Sequence, residues 1–210
     1  MVAAGVIELA DAVRLVRERG RLMQASSGDG AMAAVIGLPD EKNEELIEVG
    51  AAEGIITIAN RNSPGQIVIS GERAAVEAAA AAAKGLGARR GLVLSVSVAA
   101  HSPLMAEAAD GMRRALADVA FKAPAAPLLA NADAIVLSDG EACRDELIDH
   151  LTRGVDWITT VETMVAAGTE VFVEVGPGKV LTGLVRRIAP DVTTLATDDI
   201  TTESGLELPA

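Results

Sequence analysis

Aromatic side chains are scarce in this sequence: tyrosine does not occur, and Trp157, Phe121 and Phe172 stand alone among 210 residues. That scarcity argues against platforms for stacking nucleobases. Positive charge is also short, with a net charge of -12, which argues against nucleic acid or an anionic membrane as the main partner, local basic clusters aside. The single cysteine, Cys143, has no partner for an internal disulfide and stands in a charged, helical context without zinc-type spacing. No metal site is expected. No apolar run reaches the roughly 18 residues of a membrane span, and the start lacks the basic n-region of a signal peptide. The expected compartment is the cytoplasm.

Half of the residues are hydrophobic, mostly Ala, Val, Leu and Ile. The length suits one domain with a buried core, or a domain carrying a smaller insert. The chain opens abruptly: MVAAGVIEL is apolar from its second residue and runs into a helix through about Gln24. In that helix Ala12, Leu15, Arg19 and Leu22 follow a helical period, with Val13, Val16 and Met23 beside them. Arg19 interrupts this apolar face. Its guanidinium either snorkels to the surface or awaits an anion, because burying it unpaired is expensive.

A Gly- and Ser-rich loop from Ser26 to Gly30 ends that helix, and the pattern then reads βαββαβ. AMAAVIGL is a strand, Asp40 to Glu53 a helix, IITIAN and QIVISG two strands, Glu72 to Leu86 an alanine-rich helix, and Gly91 to Val98 a strand. This is the split βαβ, ferredoxin-like order, able to fold as an insert with its own sheet. The alanine run at 78 to 83 reads as close helix-on-sheet packing.

The last of these strands is read as alternating, with Leu92, Leu94, Val96 and Val98 on one face, and it delivers His101 just before Ser102-Pro103. Serine caps a helix there and proline suits its first turn. A histidine beside the positive end of a helix is held neutral, ready to accept a proton. It serves either as a general base or as a helper in capping the helix. Beyond it the order is helix to about Val119, strand at PLLAN (127 to 131), helix from Glu141 to Leu151, helix from Trp157 to Ala167, strand VFVEV (171 to 175), helix from Val180 to Ile188, and strand from Thr193 to Thr197. Such alternation implies a parallel sheet flanked by helices. Gly176-Pro177-Gly178-Lys179 is a tight turn into a helix and not a phosphate-binding P-loop, since the spacing is wrong and Val180 stands where Ser or Thr is required.

EVGPGKVLTGLVRRI (Glu174 to Ile188), NRNSPGQIVISG (Asn60 to Gly71), RERGRLMQ (Arg17 to Gln24) and the segment ending in His101 occur in the order found in malonyl-CoA:acyl carrier protein transacylases. From Val2 to about Thr197 the chain resembles this family. The resemblance implies an α/β class: an α/β-hydrolase-like parallel sheet over 1–28 and 99–197, a ferredoxin-like subdomain inserted over 30–98, and a tail over 198–210. It implies transfer of malonyl from coenzyme A to the phosphopantetheine thiol of acyl carrier protein in fatty acid biosynthesis, through a serine in a Gly-His-Ser-x-Gly elbow and without a cofactor. On this resemblance His101 is the catalytic base, Arg19 pairs with the free carboxylate of malonate, and the backbone carbonyl at His150 orients the histidine. Asn60, Asn62 and Arg90 align with polar positions of the channel wall near the coenzyme, although turn residues and a solvated charge explain them equally.

No Gly-His-Ser-x-Gly run occurs in the 210 residues. In the family it lies a few residues before the segment matching Met1 to Gly5, so the sequence reads as lacking the front of the large subdomain and as inactive alone. A close alternative is an extender-unit acyltransferase of a polyketide synthase, because in the neighbourhood Val98, Ala99 and Ala100 before His101, which in the wider family helps to select the acyl group, Ala100 is small and leaves room for a methyl branch. Two further readings are a non-catalytic module docking an acidic carrier protein through Lys179, Arg186 and Arg187, and a fragment without a stable fold.

Overall fold

The computed structural model describes residues 1–26 and 28–199. Helix α1 spans Leu9–Ala25, and β1 (Gly30–Ile36), α2 (Asn43–Ala51), β2 (Ile56–Ser63), β3 (Gln66–Glu72), α3 (Arg73–Ala82) and β4 (Arg90–Val93) follow. After a single 3-10 turn come α4 (Ala106–Leu116), α5 (Gly140–Asp149), β5 (Val155–Asp156), α6 (Trp157–Ala166), β6 (Val171–Glu174), α7 (Val180–Ile188) and β7 (Thr193–Ala196). The chain is mixed α/β. Five strands form one sheet in the order β4-β1-β3-β2-β5, and β6 and β7 form a second. Of the expected tail, the residues from Ile200 onward lie outside those described.

Two hydrophobic clusters organise these elements. One lies between the five-stranded sheet and the pair α2 and α3, with Ala33, Val35, Leu46, Ile69, Val76 and Ala79 buried in it. Alanine matters there for the distance it allows. A Cβ placed on Gly91 of β4 would stand 2.3 Å from the carbonyl oxygen of Ala80, so α3 rides directly on the strand and no larger residue fits between them. The second cluster joins α1, α4 and α5 through Leu15, Met23, Met105, Met112, Leu116 and Cys143. At Gly111 a Cβ would meet Leu22 Cδ2 at 2.4 Å, which fixes how closely α1 and α4 approach.

Three expectations from the sequence need correction. The strand read from Gly91 to Val98 ends at Val93, with one further ladder bond from Leu94 N–H to the Met32 carbonyl. Its partner β1 continues to Gly30, which would stand opposite Val96, but the apolar face read from the sequence gains little burial at this sheet edge, and Leu92 and Val96 are exposed. PLLAN makes only an isolated bridge, Leu129 to Val136, because the chain reverses at once through Asp133 and Ala134, whose φ is 55°. The alternation beyond His101 yields only the parallel pair β6 and β7 among the described residues, together with a short parallel pairing of β5 with β2. Residues 117–139 supply no strand to widen that sheet.

The turn at Gly176 to Lys179 is present, and its glycines adopt φ of 133° and 88°. The first turn of α7 is already satisfied internally. Glu174 accepts hydrogen bonds from Leu181 N–H at 3.1 Å, Thr182 N–H at 2.7 Å and Thr182 Oγ1 at 2.7 Å. An anion of the protein's own therefore sits where a P-loop would hold phosphate. These bonds hold the Glu174 carboxyl below its usual range, the Thr182 backbone bond contributing most.

Two predictions follow from the packing. Leu116→Ala, in the fully buried core of the α1, α4 and α5 cluster, should cost about 2–5 kcal/mol, read as a lower urea midpoint at unchanged slope. Glu174→Gln should lower the melting temperature near neutral pH. Because the folded carboxyl titrates below its unfolded value, the stabilisation is present above the ordinary glutamate pKa and is lost as pH falls through the depressed one. The difference from wild type should therefore shrink in acid, as a melting series across pH would record.

Candidate active site around His101

Among the described residues, His101 is one of two non-glycine residues with positive φ, at 59°. A left-handed conformation at a non-glycine residue costs about 1–3 kcal/mol and persists only where its surroundings over-determine it. Those surroundings are close by. Ala99 is fully buried, and Ser102 Oγ donates to the Ala99 carbonyl at 2.7 Å while accepting from Leu104 N–H at 3.3 Å. The Ser-Pro pair thus starts the 3-10 turn Pro103–Met105 that leads into α4. Its serine is consumed as a brace across His101, so Ser102 is not available as a nucleophile.

The imidazole is held from the other side of the molecule. Its Nδ1 lies 2.8 Å from the carbonyl oxygen of His150 and 3.2 Å from that of Arg153. Both partners are acceptors, so Nδ1 carries the proton in the neutral ring and Nε2 is left as the basic nitrogen. The two carbonyls are fixed by the turn that ends α5, where Arg153 N–H bonds the Asp149 carbonyl at 2.9 Å. Glu146, a buried carboxylate, accepts from the backbone and side-chain nitrogens of Asn131 at 2.9 and 2.8 Å. Arg153 itself pairs with Asp133 at 2.8 Å. Burial of the ring lowers the His101 pKa most, and the Arg19 charge lowers it further, while the two carbonyl bonds act in the opposite direction. The ring therefore stays neutral further into acid than a free histidine.

The side chain of His150 packs against that of His101, with ring centroids 4.7 Å apart and planes inclined at 58°. Burial, with the charges of His101 and Arg19, pushes its pKa down to about 4.

Arg19 projects from α1 into an open pocket of about 240 Å³ lined otherwise by apolar side chains, among them Leu15, Val16, Met112 and Leu147. Its neighbours Arg14 and Arg21 pair with Asp11 and Glu18 on the same helix. Arg19 has no hydrogen bond or salt bridge among the described residues, and burial alone lowers its pKa. It remains a cation. Of the helix stripes read from sequence, Leu15 and Met23 are buried, whereas Val13 and Val16 are 61% and 70% exposed.

Asn60 and Asn62 lie on β2 at the β5 side, where Asn60 pairs with Val155 and Arg61 is bonded to Asp156 at 3.3 Å. Arg90 is exposed at the start of β4, the opposite edge of the same sheet. The fold thus gathers His101, His150 and Arg19, sets Asn60 and Asn62 two residues and one strand away from the Arg153 turn, and leaves Arg90 apart. The Arg153 carbonyl was invisible in the sequence, because a backbone acceptor carries no residue-type signal. Arg186 and Arg187 are both engaged, with Thr194 Oγ1 and Gln66 Oε1, each at 2.7 Å. Among the described residues no cluster of three or more His, Cys, Asp or Glu could hold a metal ion, and no helix is long and apolar enough to cross a membrane.

Known proteins share this chain's sequence and fold. Residues 1–200 match the acyl transferase domain family. The malonyl CoA-acyl carrier protein transacylase of Escherichia coli K12 is 47% identical over 201 residues, covering 95% of this chain and 65% of that protein. Its namesake from Bacillus subtilis is 38% identical over 202 residues, covering 95% of this chain and 64% of that protein. The chain therefore spans a little under two thirds of the length of these relatives. Among solved structures, an acyl carrier protein S-malonyltransferase from Vibrio cholerae superposes with a TM-score of 0.89 at 44% identity, over 93% of this chain and 64% of that one. A malonyl-transacylase in complex with its type II PKS acyl-carrier protein gives 0.91 at 42% identity, over 95% of this chain and 65% of that one. With a match across nearly its whole length, this chain belongs to the acyl transferase domain family.

Proposed function

We propose that the chain is the base- and carboxylate-bearing part of a malonyltransferase that moves malonyl from malonyl-CoA to the phosphopantetheine thiol of acyl carrier protein in the cytoplasm. One observation carries this reading: a neutral imidazole with Nδ1 bound to two carbonyls lies within the field of an unpaired guanidinium set in an apolar pocket. The first group accepts a proton and the second selects an acid. As base, His101 Nε2 takes the proton from a nucleophilic hydroxyl as acyl transfer begins, returns it to the departing thiolate of coenzyme A, and then repeats the exchange with the carrier thiol. The His150 and Arg153 carbonyls hold the ring through both half-reactions. Arg19 pairs with the free carboxylate of the malonyl group, which offsets the desolvation of its own charge.

The strands β4-β1-β3-β2 with α2 and α3 have the order of a ferredoxin-like subdomain inserted in a larger α/β unit. In this reading Asn60 and Asn62 lie on its side of the substrate channel, and the position of Arg90 at the far edge favours a solvated charge. The nucleophile is not supplied by a Gly-His-Ser-x-Gly run of these residues. A module that docks the carrier without transferring an acyl group is the second reading, and carrier binding without loading would select it.

Arg19→Ala should weaken binding of malonyl-CoA about 10- to 100-fold, the worth of a charge-assisted hydrogen-bonded pair, and leave acetyl-CoA almost unchanged. Calorimetric titration of both ligands checks this, and equal losses would refute the carboxylate role. With the chain joined behind a segment carrying the elbow serine, His101→Ala should slow acyl-enzyme formation about 10²- to 10⁴-fold, measured by the rate of malonyl labelling.

A further inference from the structure

The side chain of His150 has no part in the mechanism above, which uses only its carbonyl. Yet no hydrogen bond reaches its ring nitrogens among the described residues, and its one specific contact is the His101 ring at 4.7 Å. That separation and the 58° tilt fall within the range of tilted aromatic packing. The carbonyl bonds alone hold His101 by one nitrogen. Rotation about the bond to its ring is soft for histidine, so a second ring packed at a tilt against it adds a restraint to that of the carbonyls.

We propose that the imidazole of His150 is a positioning residue for His101, packing on its ring to hold Nε2 in one direction and to shield the ring from solvent. This inference rests on the reading of His101 as the base. Charged groups facing the pair are few. Arg19 approaches from α1 and disfavours a proton on either ring, Arg153 on the turn is paired with Asp133, and Glu146 of α5 is turned to Asn131. A neutral, flat ring at position 150 therefore fits beside a base that must itself stay neutral, whereas a cation there would not.

The test is a titration of the ring nitrogens by NMR on the full chain. It holds two histidines, so any substitution at 150 leaves His101 as the only imidazole. His150→Phe keeps a flat ring and the carbonyl, and should leave the His101 midpoint below the ordinary histidine value, with the proton fixed on Nδ1. His150→Ala keeps the carbonyl but removes the ring, and should move the midpoint up toward the ordinary value, with nitrogen shifts drawn toward an average of the two tautomers. Should the alanine variant not fold, His150→Gln gives the same comparison without a ring. An unchanged midpoint in the ringless variant, or equal midpoints in the ringless and phenylalanine variants, would overturn the proposal. The readout needs no turnover, so failure of the malonyl-CoA binding test would count against the transferase reading and leave this result standing on its own.

Discussion

The grip of two backbone carbonyls on one imidazole nitrogen is the constraint on which the candidate site depends. A carbonyl is an acceptor only, so its presence at Nδ1 decides which nitrogen of His101 carries the proton and which is basic. The His150 and Arg153 carbonyls belong to a turn some 50 residues along the chain. Much of the nearby structure maintains that distance. Glu146 ties the turn's helix to Asn131, Arg153 reaches Asp133, and on the opposite side Ser102 braces the backbone that holds His101 at positive φ.

Arg19 illustrates how burial and charge work against each other. Its neighbours on α1 find carboxylates three residues away and contribute little beyond solubility. Arg19 is set among Leu15, Val16, Met112 and Leu147 without such a partner. A guanidinium in that position is costly until an anion arrives, and the same charge helps to keep both imidazoles neutral. On the proposed function, a carboxylate bound there would remove part of that repulsion, so malonyl binding and the proton affinity of His101 would be linked through one side chain.

The uneven cover of the two cores fits the same picture. The cluster under β1 to β4 is closed by α2 and α3, with alanine and glycine allowing close contact. The cluster of α1, α4 and α5 keeps an apolar flank, and Val175 beyond β6 is 84% exposed. Both exposed surfaces belong to the part of the chain that carries the candidate site.

Periodicity and end signals carried much of the fold. The helical spacing of Leu15, Arg19 and Leu22, the Ser102-Pro103 start, and the alternating order of strands and helices from Gly30 onward are local properties that a sequence states directly. The oddity of Arg19 on an apolar stripe was legible for the same reason. The limits of β4 were not, because Leu94, Val96 and Val98 alternate as a strand should, whereas the ladder stops after Leu94, short of the end of β1, at an edge that leaves Leu92 and Val96 exposed. Nor was the brief bridge at Leu129, where a turn competes with the apolar run from Pro127 to Ala130. Residue type and spacing determined which segments fold into helices and strands, and that His101 and Arg19 stand out. Which nitrogen of His101 is free, what packs on its ring, and that Arg19 acts on it were decided by tertiary structure alone, since backbone acceptors and contacts between distant segments exist only once the chain has closed.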